Sequence, residues 1–592
     1  MQTQAFHTDS DWTAEKSIVV LPFRNMSSDP ENEYFSDGMT EDIINALTRV
    51  GGLKVIARTS AFSFKGKNAD VREVGRQLGV SYVLEGSVRK AGNKVRVTAQ
   101  LIKASNGFHV FSEVYDRVLE DIFEVQDDIS QKIVRRFTDK VGAADPGMPL
   151  ISSSTSNMEA YQHYLKGRFS LNQGSLEAAN AAIQYFETAL KKDKDFALAC
   201  TGLAACYTFL GGSGLMDAGQ AYNLADEYAR KANLLDDGVA ETHLALANCS
   251  FWPAWDFENA GHEIRRAIRL SPGTSGIHGF HALYLMASEK LEEALVEAKL
   301  AVKLDPLSLK SRFQLGEVHY RSRNFVEALE LFELVLAENP YYKEAGILKA
   351  WCHLFLGNAE QAREIFSRIP VTTEKSMVFY GGLALVYSRL KQTGRILDCM
   401  RDFRKALAEG YTQWIEYNYT LIYRALGEKQ LMYKSLANAL RAKLAPLVFI
   451  RVDPVWDEYR SDPEFRELLD LTFLSEKNGQ VLDLRSDTRE VLRVNPGKIL
   501  FIEARENYSR IVWLEGENRR EKLLRVTMKS LESQIPGSAI IRCHRSYMIN
   551  TAVRYTVLGN SNGYRLKSKH FREIIPVSRS LGKEIVSRLR NS

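Results

Sequence analysis

Two short stretches concentrate side chains able to grip a polyanion: Ile541-Arg542-Cys543-His544-Arg545-Ser546-Tyr547-Met548-Ile549-Asn550 and Pro576-Val577-Ser578-Arg579. A guanidinium is a planar fork that can match guanine O6 and N7, and Arg542, Arg545 and Arg579 each carry one. Hydroxyls, ammonium groups and further guanidinium groups suit phosphate oxygens, which set register without reading sequence. Arg542, Ser546, Ser578, Lys529, Arg565 and Lys567 fall in that class. His544 reads either as a nucleic-acid contact or as a hydrogen-bonding core residue, and Tyr547 and Asn550 read as residues that hold the strand and turn. The charge agrees. Residues 485–592 hold 22 Lys and Arg against 10 Asp and Glu, about +12, so the rest of the +5 chain sits near −7. A basic end on an acidic body implies a polyanionic partner for that end; the plainer alternative is a solvated face.

Other chemistry is scarce. The six cysteines are scattered without a CxxC pair or a nearby histidine cluster, which points to neither a disulfide framework nor a zinc site. Asp37, Glu41 and Asp42 lie together, but no histidine, metal spacing or glycine-rich phosphate loop accompanies them. They read as charges on the exposed face of a helix. No enzyme activity and no cofactor is expected. The polar, acidic start does not resemble a signal peptide, and no apolar run approaches the ~18 residues of a membrane span. A cytoplasmic protein with no membrane contact is the expectation.

The elements that must carry the basic residues are short strands with turns between them. Lys498 to Ala504 and Arg510 to Leu514 flank the loop Arg505-Glu506-Asn507-Tyr508-Ser509. Thr527 caps a short helix bearing Met528, Leu531 and Ile535, stopped by Pro536-Gly537. Ala539 to Cys543, Met548 to Asn550 and Val553 to Leu558 follow as strands. In Tyr564 to Lys569 the alternation sets Arg565, Lys567 and Lys569 on one side. Leu581, Ile585 and Leu589 form a last helix.

Over residues 489–592 this text resembles the LytTR family of bacterial DNA-binding domains. Ile502-Glu503-Ala504 with Asn507-Tyr508, Leu531-Glu532, the 542–550 motif and Ile575-Pro576-Val577-Ser578-Arg579 fall where that family has them. The resemblance implies a mostly β fold whose loops enter successive major grooves. By position it implies base contacts from the loop Asn507, Tyr508, Ser509 and Arg510 and from Arg545 and Arg579. Tyr508 could instead pack in the core. Tandem promoter sites and a homodimer on double-stranded DNA are further implications. The phosphorylated receiver or membrane domain common in that family is not visible.

Residues 16–141 read as one α/β domain. Ser17 to Phe23 and Leu53 to Ala57 are strands, and Met39, Ile43, Ile44 and Leu47 mark a helix between them. Asp70 caps a helix over Val71, Val74 and Leu78 that Gly79 ends. Strands Tyr82 to Arg89, Lys94 to Ile102 and Phe108 to Tyr115 precede a helix carrying Ile122, Val125, Ile129 and Ile133. The segments Val20-Leu21-Pro22-Phe23, Tyr34 to Gly38, Val80 to Arg89 and Ile122 to Gln126 resemble the TolB-like domain found ahead of repeat arrays in bacterial regulators. Residues 142–157, small and polar with a Pro-Gly pair, read as a mobile linker.

Residues 158–474 are an internal repeat. Pro272, Pro306 and Pro340 are 34 residues apart, as are Ala260, Ala294, Ala328 and Ala362, each followed at plus four by Ile264, Ala298, Phe332 or Phe366. That is the tetratricopeptide (TPR) period: a small residue lets paired helices approach, a larger one fills the gap, and Pro stops the second helix. Weaker copies stand at Ala182/Phe186/Ala189 and Ala225/Ala229/Ala232, with Gly211 to Gly214 as a loop between. Helices continue through Tyr380 to Leu390 and Tyr417 to Leu426, and Asp453 to Leu469 reads as the capping end. Such a solenoid offers a groove for a protein or peptide partner. The expectation for the whole is a multidomain protein: an α/β domain, an all-α TPR solenoid and a mostly β DNA-binding domain. Its expected function is sequence-specific transcription regulation. The alternative is an adaptor tethered non-specifically to nucleic acid.

Overall fold

A computed structural model describes residues 16–138, 155–369, 379–408, 414–473 and most of 482–589; within the last span it leaves out 489, 516–517, 536–539, 552, 554, 561–562, 569–570, 579–580, 582–584 and 586–588. The chain forms two compact units, 1–457 and 458–592.

The first unit opens with an α/β domain. Its elements are β1 (Ser17–Val20), β2 (Arg24–Asn25), α1 (Glu33–Thr48), β3 (Lys54–Val55), α2 (Arg58–Phe62), α3 (Val71–Leu78), β4 (Tyr82–Ala91), β5 (Lys94–Lys103), β6 (His109–Val118) and α4 (Ile122–Thr138). The sheet order is β3-β1-β4-β5-β6, with β2 against β4. β1 runs parallel to β3 and β4, and the long β4-β5-β6 meander is antiparallel. Ile18, Val20 and Leu84 face α1 and α4, while Val19 and Val83 face α3. Both ends of α3 are as the sequence predicts: Asp70 accepts from the Arg72 amide at 2.8 Å, and Gly79 takes φ 61°, which an L side chain resists. The expected strand at 53–57 is only two residues long. Ile56 N–H still reaches Ile18 O, but Ala57 N–H donates to Leu304 O in the helical array.

That array pairs α5 (Met158–Leu171) with α6 (Leu176–Lys192), α7 (Ala197–Gly212) with α8 (Ala218–Leu235), and α9 (Ala240–Phe251) with α10 (Phe257–Leu270). It continues as α11 (Ser275–Ala287) with α12 (Leu291–Leu304), α13 (Leu309–Arg321) with α14 (Phe325–Glu338), and α15 (Lys343–Phe355) with α16 (Ala359–Arg368). The last pairs are α17 (Phe379–Arg389) with α18 (Thr393–Ala408), and α19 (Ile415–Leu426) with α20 (Lys429–Arg441). Every alanine and partner residue of the expected repeat is fully buried. The close approach is visible at Gly316, where a Cβ would lie 2.6 Å from the Phe332 ring. One expectation fails locally. Gly211 and Gly212 complete α7 instead of forming a loop, because Gly211 lies against Ala221, 2.9 Å from where its Cβ would stand.

Successive repeats share a clamp at the start of the first helix. His243 places Nδ1 2.6 Å from Glu263 and Nε2 2.9 Å from Asp237 O. His278 repeats this with Glu297 at 2.6 Å and Pro272 O at 2.8 Å. In the next repeat Arg312 donates to Pro306 O at 3.0 Å and pairs with Glu338. At His243 these two acceptors outweigh burial and hold the imidazole above its ordinary pKa. The arginine that replaces it carries its charge permanently.

Asp37, Glu41 and Asp42, expected on an exposed face, are instead drawn into the interior. Asp37 is 3% and Glu41 3% exposed. Asp37 pairs with Lys65 at 2.6 Å, Glu41 lies between Arg58 and Arg168, and Asp42 accepts from Arg168 at 3.0 Å, Gln126 at 3.2 Å and the Tyr161 hydroxyl. Arg168 belongs to α5, so this knot ties the α/β domain to the first repeat. A second seam lies at the turns between repeats. Thr48 O accepts from Gly273 N at 2.9 Å, Ser60 N donates to Asp305 at 3.0 Å, and Leu307 N donates to Ser60 Oγ at 2.9 Å. Most of the expected linker lies outside the described residues. Its final residues are held, since Thr155 is buried and Asn157 caps α5.

The array closes on itself. Residues 443–457, with a 3-10 turn at Ala445–Phe449, cross the ends of α9, α11 and α13. Phe449 lies 6.5 Å from Phe251 and 4.2 Å from the Arg321 guanidinium, Arg451 pairs with Glu289 at 3.4 Å, and Asp453 accepts from Tyr320 at 3.2 Å. Leu447, Val448, Ile450, Val455 and Trp456 are fully buried there. The ends of these first helices are thus covered along this stretch by the chain itself.

The second unit begins with α21 (Pro463–Phe473) and a hairpin of β7 (Leu482–Arg485) and β8 (Val491–Val494). β9 (Ile499–Arg505), β10 (Tyr508–Glu515), β11 (Asn518–Leu524), β12 (Ile540–His544) and β13 (Tyr547–Asn550) form a sheet in the order β11-β10-β9-β13-β12, with α22 (Met528–Gln534) between β11 and β12. β14 (Thr556–Asn560), β15 (Gly563–Ser568) and β16 (Phe571–Pro576) form a second sheet. Ile502, Ile511, Leu524 and Leu531 build one apolar cluster. Phe501, Val512, Ile549, Leu566 and Ile575 build the other, which also takes in Leu581, Ile585 and Leu589 of the expected last helix. The five-stranded sheet is therefore covered on both faces.

Candidate nucleic-acid interface

Strand register gathers several predicted residues at one end of the five-stranded sheet. β9 ends at Arg505, and a two-residue turn returns the chain to Tyr508 opposite it. Glu506 in that turn has φ 53°. β13 runs against β9 with Tyr547 opposite Glu503, so the 545–546 turn falls at the same end, and Ala504 N donates to Ser546 O at 2.8 Å. Leu524 is opposite Ser509, which brings the start of α22 and Lys529 to this end too. Ser578 N donates to Cys543 O at 2.9 Å, so the end of β16 joins them.

Asn507, Tyr508, Lys529 and Arg545 are exposed, Tyr508 at 45%, so Tyr508 does not pack in the core. Arg545 has no ion pair among the described residues. Arg565 and Lys567 are exposed on one side of β15 as expected; Lys569 and Arg579 lie outside the described residues. Ser546 and Ser578 are half-buried.

The turn at 545–546 is built by its neighbours. His544 Nδ1 accepts from Ser546 N at 3.2 Å, and burial together with the adjacent Arg545 charge holds the imidazole below its ordinary pKa. A neutral His544 thus shapes the turn. Arg542, expected on phosphate, donates to Arg545 O at 2.9 Å and pairs with Glu532 at 3.0 Å. Its guanidinium is already engaged in the fold. Tyr547 donates to Glu503 at 2.6 Å, and Asn550 Nδ2 donates to Ile499 O at 2.9 Å, so both hold strands as expected.

Ser509 and Arg510, expected on the bases, are instead buried. Ser509 is 1% exposed and donates to Val526 O at 2.8 Å; Arg510 is 8% exposed and pairs with Glu503 at 2.8 Å, Glu521 at 3.2 Å and Glu573 at 3.0 Å. The cause is the two-sided cover of the sheet: Ser509 turns toward α22, and Arg510 turns toward the second sheet. Burial raises the Glu573 carboxyl, yet hydrogen bonds from Arg519 and Arg510 outweigh it and hold its pKa to about 2. Arg510 thus locks together Glu503, Glu521 and Glu573, which lie far apart in sequence, and Arg519 also holds Glu573.

Among the described residues, no group of three His, Cys, Asp or Glu side chains could hold a metal ion. No helix there is long and apolar enough to cross a membrane.

Residues 489–590 match the LytTr DNA-binding domain, residues 319–376 match the tetratricopeptide repeat, and residues 14–132 match the second domain of HilA/YgeH-like transcriptional regulators. The last stands where a TolB-like domain was expected. Transcriptional regulator HilA of Salmonella typhimurium is 21% identical over 396 residues, 65% of this chain and 68% of its own length. A Rhizobium meliloti protein named as an adenylate cyclase is 45% identical over 191 residues, and the chain spans only 32% of that relative. A solved LytTr DNA-binding domain from Bacillus cereus is 20% identical, covering 19% of this chain and 98% of that one with a TM-score of 0.16.

Proposed function

We propose that this chain, which carries a LytTR DNA-binding domain, a HilA/YgeH-like regulator domain and tetratricopeptide repeats, is a sequence-specific regulator of transcription. Its C-terminal unit reads double-stranded promoter DNA, and residues 16–457 take the input. The observation that carries this reading is the convergence of the 506–507 turn, the 545–546 turn and Ser578 at one end of a rigid, two-sided sheet. Short turns on fixed strands hold readers better than long loops do. Arg545 and Tyr508 act as base readers, joined by Arg579, while Lys529, Arg565 and Lys567 position the phosphates. Asn507 and Ser546 border the same edge. His544 and Arg542 act through the shape of the turn.

Input enters through the α/β domain and the repeats. A protein or peptide partner engages first-helix surface outside the stretch that residues 443–457 occupy. Two copies on tandem sites would double the readout, because one such edge spans few base pairs. The reading needs no catalytic residue.

Selection of binding sites from a random duplex pool with the full chain, at two salt concentrations, tests this. A short enriched motif that persists at the higher salt supports specific regulation. Binding without enrichment, vanishing as salt rises, overturns it in favour of a phosphate-only tether.

A further inference from the structure

The α/β domain holds a cavity with a basic lining. The cavity, of about 750 Å³, opens between α3, the beginning of β4, the end of β5 and the last turn of α4. Lys16, Arg72, Arg76, Lys103 and Arg136 line it, and no carboxylate does among the described residues. Arg72 and Arg76, one turn apart on α3, pair with Asp70 and Glu73 at 2.7 and 2.6 Å. These pairs are exposed and exchange readily for a better anion. Lys16, Lys103 and Arg136 have no ion pair among the described residues.

The floor is aromatic. Tyr82 and Phe137 meet edge to face with centroids 5.1 Å apart, and the Arg136 guanidinium lies 6.0 Å from the Tyr82 ring centre. Ser81 and Ser105 add hydroxyls to the wall. Cations around a shared space repel one another until an anion enters, and guanidinium forks match phosphate oxygens in pairs. The volume is that of a small-molecule site. A cationic ligand would find no carboxylate among the described lining residues.

We propose that this cavity binds a phosphorylated small molecule with an aromatic ring, a nucleotide, with the phosphates on the arginines and lysines and the ring toward Tyr82 and Phe137. The site gives the regulator a chemical input on the α/β domain, separate from the edge that reads DNA. A compact ligand fits better than a nucleic-acid strand, because the cations surround one cavity instead of tracking a groove.

Calorimetric titration of the full chain with ATP, inorganic triphosphate and adenosine tests the site. ATP should bind saturably at one site, triphosphate more weakly, and adenosine not at all. The double variant Lys103→Glu with Arg136→Glu should weaken ATP by at least about tenfold. Both side chains are exposed, so an unchanged thermal melt confirms that the variant is folded. Arg545→Ala should leave ATP binding intact, which separates this cavity from polyphosphate contacts of the C-terminal unit. Absence of ATP binding to the wild type at millimolar concentration overturns the proposal. So does ATP binding that survives the double variant. A single-stranded oligonucleotide that binds more tightly than ATP through the same two residues would overturn the choice of a small ligand.

Discussion

In the first unit, Arg168 lies 126 residues beyond Asp42 in sequence and meets both Asp42 and Glu41; in the second, Arg545 meets no carboxylate among the described residues. Arg510, also in the second unit, behaves like Arg168: Glu573 arrives from 63 residues away and completes a three-carboxylate lock. The difference teaches that a charged residue in a suggestive motif is structural or functional according to what the fold brings opposite it. A buried charge lost from one side leaves its partners uncompensated. An exposed one leaves little behind, and its loss registers only in what it binds.

The comparison breaks most readily at Arg168. Arg168→Ala takes the guanidinium from Asp42 and leaves Glu41 with Arg58 for its ion pair, and should destabilise the first unit by about 3 kcal/mol or more, read as a lower urea midpoint of its transition. Arg510→Ala should cost roughly 3 kcal/mol in the second unit, since Arg519 remains to hold Glu573. If Arg510→Ala instead melts like the wild type and loses only DNA affinity, its assignment to the interior is wrong.

The clamps sharpen the comparison through pH. Burial alone would lower His243, but Glu263 and Asp237 O raise its pKa above the ordinary 6.5. Its stabilisation is complete below that ordinary value and is lost as pH rises through the raised one. Glu297 behaves oppositely: burial raises it, but His278 and His281 hold it to about 2 against an ordinary 4.5. Its stabilisation is present above 4.5 and is lost as pH falls toward 2. These clamps therefore favour the array between the two ordinary values. Thermal melts at pH 6 and 8.5 should show a loss at the higher pH that His243→Gln reduces. Lys529→Ala carries the smallest effect. It should weaken specific and scrambled DNA alike and lower the salt slope by about one unit, with no change in melting.

Much of this was legible wherever a local rule decides. Asp70 and Gly79 bound α3 because caps act within a turn, and the 34-residue step placed the repeats because each one rebuilds the same contact. β11 was missed because Arg519-Arg520-Glu521-Lys522 offers almost no apolar alternation: it is the edge strand of its sheet. The burial of Ser509 and Arg510 was hidden for another reason. Alternation assigns one face to solvent, whereas this sheet is covered on both, and the second layer comes from β14, β15 and β16 farther along the chain. Glu41 and Asp42 are hidden in the same way, since α5 reaches them from beyond the 142–154 segment, and Asp37 is met by Lys65.

The most direct test of the account is the affinity of Arg545→Ala for a selected site and for a scrambled duplex, measured beside its thermal melt. The account predicts a loss of about 1–3 kcal/mol on the selected site, little loss on the scrambled duplex, and an unchanged melt. Equal loss on both duplexes, or a melt lowered as far as that of Arg510→Ala, would contradict it.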